Sequence, residues 1–181
     1  MEFLWGFSLA ALIGIPAGLW LGANRIWELA TLPYLLAMYS TPSQAWQPLL
    51  IMWFGLGFHS QVLLIFLFGF FVIVLNVTAG VKSVDPVLLR AARSFQATRW
   101  ETFVKIVVPA TLPYILTGLR LGVGRACIGV FLAEFFGASS GIGYYIVRSG
   151  SAYQIDRVFV GVLILVGYSF ILTEMIRLME K

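Results

Sequence analysis

A chain of 181 residues that is 60% hydrophobic and 15% aromatic, with only 11% charged residues, carries more apolar surface than one soluble core can hide. That composition excludes an ordinary soluble domain and places the chain in lipid as an all-α polytopic membrane protein. The net charge of +4 gives no reason to expect a nucleic-acid partner, because apolar runs about as long as a bilayer is thick separate the cations and no basic patch interleaves with aromatics.

The N-terminal run Phe3 to Leu21 has no basic residues ahead of it and no small-residue cleavage site, so it reads as a retained first span over about 3–22. Gly14, Gly18 and Gly22 recur every four residues and lay a smooth stripe along one face. The stripe suits close packing against a neighbouring helix, in this chain or across subunits; equally, glycine is simply frequent in membrane helices. Pro33, Pro42 and Pro48 then interrupt the apolar character, which predicts a short helix, a break near Pro42 and a second span over about 44–58. A tight turn is expected at His59 and Ser60, followed by a third span over 61–80. Asn76 is its one strongly polar interior residue, and its amide needs a partner in the bundle or in a wet cavity.

Residues 82–109 are too long for a simple turn and fall on two helical templates. Asp85 can cap a helix that begins at Pro86, where a missing amide costs nothing. Val87, Leu88, Ala91, Ala92 and Phe95 then share one face, with Arg90 and Arg93 outside it. Thr98 and Glu101 have capping-box spacing ahead of Trp100, Phe103, Val104 and Val107, so a second short helix is expected after a bend near Gln96 and Ala97. The apolar face needs cover, either from the lipid headgroup surface or from a groove on a cytoplasmic protein, and the small Ala91–Ala92 pair tilts the choice slightly to the protein.

A fourth span is expected over about 111–137 and a fifth over about 158–176, with a re-entrant or interfacial segment between them. Glu134, near the outer end of the fourth span, reads either as a pathway or gate residue or as a hydrogen-bond anchor, the anchor slightly favoured. Asn76 divides the same way. For an anionic substrate, Arg120 or Arg125 could supply attraction, or both could reach for the inner interface. One side of the membrane collects Arg25, Lys82, Arg90, Arg93, Arg99, Lys105, Arg177 and Lys181, and the other only Arg148 and Arg157. Positive-inside bias therefore predicts the N-terminus outside and the C-terminus inside. Cys127 lies in an apolar run, and His59 has no second ligand at metal spacing, so neither a metal nor any other cofactor is expected.

The run Arg90-Ala91-Ala92, then Gln96, then after nine residues Ile106, Val108 and Pro109, resembles the EAA loop of bacterial ABC importer permeases, whose usual form is E-A-A-x-x-x-G, nine residues, I-x-L-P. The segments PLLIMWFGLG, VTAGVKSVDP, LPYILTGLRLGVGRA, AEFFGASSGIGY and DRVFVGVLIL resemble, in order, the nitrate, sulfonate and taurine branch of that family. The resemblance implies a MetI-like bundle in the bacterial cytoplasmic membrane. It also implies a second permease copy as homodimer partner, cytoplasmic ATP-binding subunits and an external solute-binding protein. By that resemblance Val87, Leu88, Arg90, Ala91, Ala92, Phe95 and Gln96 form the ATPase-coupling element. These 181 residues contain no G-x-x-x-x-G-K-[ST] loop, so the chain is read as a transport subunit and ATP hydrolysis falls to the partner. The rival reading is a secondary transporter or channel, but neither a chain of intramembrane acids nor a selectivity-filter motif is visible.

Two positions depart from the family pattern: Arg90 stands where glutamate is usual and Gln96 where glycine is usual. Glutamine in a left-handed bend would carry roughly 1–2 kcal/mol of strain, which implies a locally different bend or a divergent ATPase groove. Family members also commonly carry one more span before the segment that opens this chain. Either the core suffices, or the chain is truncated.

Overall fold

The computed structural model describes residues 1–137 and 140–179. Lys181, counted above among the inner cations, lies outside them, as do Ala138 and Ser139 of the connection after the fourth span. Among the described residues the helices in chain order are α1 (Glu2–Ala23), α2 (Arg25–Ser40), α3 (Trp46–Phe54), α4 (Phe58–Lys82), α5 (Pro86–Ser94), α6 (Arg99–Thr102), α7 (Val108–Gly137), α8 (Ile142–Ser151) and α9 (Ile155–Met179). Among the described residues four stretches are long and apolar enough to cross a membrane: α1, α4, the continuous helix Arg99–Phe136, and Ile155–Met175 of α9.

The glycine stripe of α1 packs within the chain. A Cβ on Gly6, Gly14, Gly18 or Gly22 would come within 2.7, 3.1, 2.7 or 2.5 Å of Ile65, Ile73, Val77 or Val81 respectively. Each partner lies the same number of residues ahead of its glycine, so α1 and α4 run parallel. The close approach also lets the buried Thr78 hydroxyl donate to the Gly18 carbonyl at 3.2 Å, a cross-helix bond worth having where no water competes. On its other side α4 meets α7 in antiparallel register, with Gly80 against Tyr114, Gly118 against Asn76 and Gly129 against Ile65. The core sits in this three-helix sandwich, with Ala10, Ile73, Val77 and Ile115 in one cluster and Leu64, Phe68 and Leu132, joined by Leu50 of α3 (Trp46–Phe54), in another.

Parallel α1 and α4 require a return limb between them, and α2 with α3 supplies it in two pieces. Glu28 near the start of α2 pairs with Lys82 at the end of α4, while Met38 and Tyr39 near its other end lie beside Leu67, Phe68 and Phe71. At about 1.5 Å per residue α2 is about 24 Å long and does not complete the crossing. The chain breaks at Thr41 and Pro42, makes a 3₁₀ turn over Ser43–Ala45 and resumes as α3. The expected second span over 44–58 is thus a nine-residue helix, too short to cross alone, because Gly55 and Gly57 end it with φ of +75° and +134°. Those two glycines also hold the turn expected at His59 and Ser60; both of these residues lie in the first turn of α4, where the Ser60 hydroxyl donates to the Gly57 carbonyl at 3.0 Å.

The second loop helix and the fourth span are one continuous helix, not two elements meeting near Thr111. Proline at 109 cannot donate to the carbonyl four residues back and would crowd it. The helix widens over Phe103–Val107 into π-helical turns directly upstream, which absorbs that crowding without a break. Outside this core, α9 is largely uncovered: Phe159, Leu163, Phe170 and Met175 are exposed. On a soluble protein such a surface would be an association site, whereas in a bilayer it faces hydrocarbon or another membrane helix.

Candidate functional site

The loop after α4 is built by local chemistry. The Asp85 carboxylate accepts from the Val87 amide at 2.7 Å and starts α5 with Pro86 in its first turn. Thr98 and Glu101 form both bonds of the capping box, at 2.9 and 3.2 Å, and start α6. Between them α5 closes in a Schellman arrangement: the Ala97 amide donates to the Ala92 carbonyl and the Gln96 amide to the Arg93 carbonyl, both at 3.0 Å. This closure puts Gln96 at φ +56°, so the bend keeps the left-handed conformation that glycine would adopt freely. Gln96→Gly should therefore raise stability by about 1 kcal/mol, read as a higher unfolding temperature of the purified chain; no rise would mean the bend stores no strain.

The apolar residues of α5 divide between two surfaces. Ala92 is buried in the crook between α5 and α6. Leu89 packs on Val81, Val84 and Val107, a cluster that ties α5 to the ends of α4 and α7. Val87, Leu88 and Phe95 point away, and Phe95 is 85% exposed. Ala91 and Arg90 are exposed with them. The outward face is therefore Val87, Leu88, Ala91 and Phe95, with Ala92 serving the inner one. Leu89 was missed in the sequence because the face it shares with Ala92 carries no other large apolar residue. The Glu28–Lys82 pair also escaped notice. It joins residues 54 apart, with Glu28 buried and Lys82 the last residue of α4, and no local pattern announces it.

Inside the bundle, the Asn76 amide donates to the Val72 carbonyl of its own helix at 2.8 Å, beside Gly118. Glu134 is half-buried, and its Oε2 accepts from the Gly143 amide at 2.6 Å, anchoring the first turn of α8 to α7. The contact is close because Gly141 (φ +117°) and Gly143 leave no Cβ between the carboxylate and the backbone. The segment expected to be re-entrant or interfacial is realised as α8, which ends in a second Schellman closure with Tyr153 at φ +57°. Asn76 and Glu134 lie near opposite ends of α7's contact with α4, and the structure does not bring them together. Arg125, level with the middle of α4, donates to the Tyr39 hydroxyl at 3.2 Å, with its guanidinium 5.5 Å from the Tyr39 ring centre.

Known proteins with this arrangement are membrane transport components. The bundle overlays a chain of the inward-facing MetNI methionine ABC transporter with a TM-score of 0.79, over 98% of this chain and 87% of that one, at 19% identity. In sequence it is 36% identical over 176 residues to SsuC of Bacillus subtilis, a protein assigned to aliphatic sulfonate transport as a permease. It is 34% identical over 172 residues to TauC of Escherichia coli, the permease protein of a taurine transport system. These alignments cover 97% and 95% of this chain but 64% and 62% of those relatives, so the chain spans less than two thirds of their length. Residues 14–181 match the family model for the inner membrane component of binding-protein-dependent transport systems, and the chain belongs to that family, with a MetI-like fold.

Proposed function

We propose that this chain is the membrane-spanning permease subunit of an ATP-driven importer of a small solute, an anion such as nitrate, a sulfonate or taurine. It works as a pair of copies in the bacterial cytoplasmic membrane, takes solute from an external binding protein and draws its energy from ATP bound by separate cytoplasmic subunits. The observation that carries this reading is the outward face of α5. An apolar strip bearing Phe95 stands exposed at the end of the bundle that gathers Lys82, Arg90, Arg93, Arg99 and Lys105, while Leu89 packs its back on Val81, Val84 and Val107. An apolar helix outside the membrane core that packs on the ends of the spans can pass a partner's closing movement to them. The cation count supports a cytoplasmic position for that end, with the N-terminus outside and the C-terminus inside. Names of the relatives support the solute class.

The test is reconstitution in liposomes with an ATP-binding subunit and a solute-binding protein identified by binding to this chain. Uptake that needs ATP and the binding protein is the expected result. Solute flux through this chain alone, driven by an ion gradient and indifferent to ATP, would replace the importer by a secondary transporter or channel.

A further inference from the structure

Arg125 and the break in the return limb meet at one place. The side chains of Met38, Tyr39, Thr41 and Trp46 from the two sides of the break face Phe68 and Arg125 around a cleft whose enclosed part, about 20 Å³, has room for a water and which opens at the surface of the chain, where Arg125 and Tyr39 are exposed. The depth is set by α4, which runs from Phe58 to Lys82 and whose midpoint lies beside Phe68 and Phe71 of this cleft. A guanidinium there is roughly 15–20 Å from either end of the helix, beyond the reach of an arginine seeking the interface.

Each feature is costly in hydrocarbon for its own reason. A charged side chain at mid-membrane belongs in a bundle interior or a wet cavity, paired with an opposite charge. Arg125 has only the neutral Tyr39 hydroxyl and ring, and no ion pair among the described residues. Irregular backbone at that depth belongs where it is buried in protein or lines water. Thr41 closes α2 by returning its hydroxyl to the Ala37 carbonyl at 2.9 Å, so the break is a built terminus and not a frayed one.

We infer that Arg125, held by Tyr39 at the α2–α3 break, is a mid-membrane binding site for a small oxyanion in transit. The inference rests on the importer reading and names the chemistry of its pathway. Tyr39 orients the guanidinium from one side and leaves its remaining donors for the anion. An anion delivered by an external binding protein arrives already selected. The site therefore acts on the maximal rate and on the number of anions moved per ATP, and little on half-saturation.

The experiment uses the reconstituted complex with labelled nitrate and labelled methanesulfonate. Arg125→Gln is expected to lower maximal uptake of both anions at least about tenfold while ATP hydrolysis stimulated by the binding protein stays within about twofold. Arg125→Lys, which keeps the charge but loses the fork, should retain an intermediate rate, and Tyr39→Phe should reduce anions moved per ATP. Wild-type uptake in either Arg125→Gln or Arg125→Lys overturns the inference, the second even if Arg125→Gln fails to assemble. ATP-dependent uptake only of solutes that bear no oxyanion group, with neither anion carried, also overturns it and leaves the importer standing. No ATP-dependent uptake of any solute by the wild-type complex would overturn the importer reading itself.

Discussion

Phe95→Ala is expected to weaken binding of the ATP-hydrolysing subunit by roughly 10- to 150-fold, while the purified chain unfolds at an unchanged temperature. The two halves of that expectation come from one observation. Phe95 is 85% exposed, so truncating it leaves no cavity and removes nothing from the fold. Buried in a partner's groove, the ring would contribute about 1.5–3 kcal/mol, which is that range of affinity. Pull-down of the ATP-binding subunit over a concentration series measures the first half and thermal unfolding the second. Truncating Leu89 serves as the opposing control. It packs on Val81, Val84 and Val107, so Leu89→Ala should lower stability by about 2 kcal/mol or more through the space it leaves. Equal binding by Phe95→Ala and the parent would remove the outward face of α5 from the coupling surface.

Gly18→Ala is expected to destabilise the bundle by about 1–3 kcal/mol, although alanine is the better helix former. Its Cβ would stand 2.7 Å from the Val77 Cβ and 2.9 Å from the Val74 carbonyl oxygen, neither of which can swing aside. The helices must separate, and separation also lengthens the Thr78 bond to the Gly18 carbonyl. Gly124 on α7 is the matched comparison, since an added Cβ there meets nothing within 4 Å. Gly124→Ala should leave the unfolding temperature level or raise it. Equal effects at the two positions would mean that helix propensity, and not close approach, governs these glycines.

Those contrasts show where the sequence could be read and where it could not. Asp85 with Pro86, and Thr98 with Glu101, were legible because capping is settled within four residues. The four-residue glycine rhythm of α1 announced a smooth face, but which helix lies on it is a fact about residues far along the chain. Short-range hydropathy failed where it merged unlike elements. The apolar run through Trp46–Phe54 looked like a span although Gly55 and Gly57 cut it short, and Pro109 looked like a boundary although π-helical turns carry the helix past it. Gln96 was legible as an exception: its residue type conflicts with the bend, and the bend prevailed because two backbone hydrogen bonds hold it. Arg125 could be seen in the sequence, but its depth and its neighbour Tyr39 emerge only from the register between α4 and α7.

The parallel pairing of α1 with α4 bears on how the protein is made. The glycine face of α1 leaves the translation machinery well before Ile65, Ile73, Val77 and Val81 exist. The pair can zip only after the chain has gone across, back in two pieces, and across again. Until then the stripe rests against acyl chains, which is tolerable because a glycine face in hydrocarbon exposes no surface that water would penalise. Synthesis therefore leaves the innermost seam of the bundle open until α4 has been inserted.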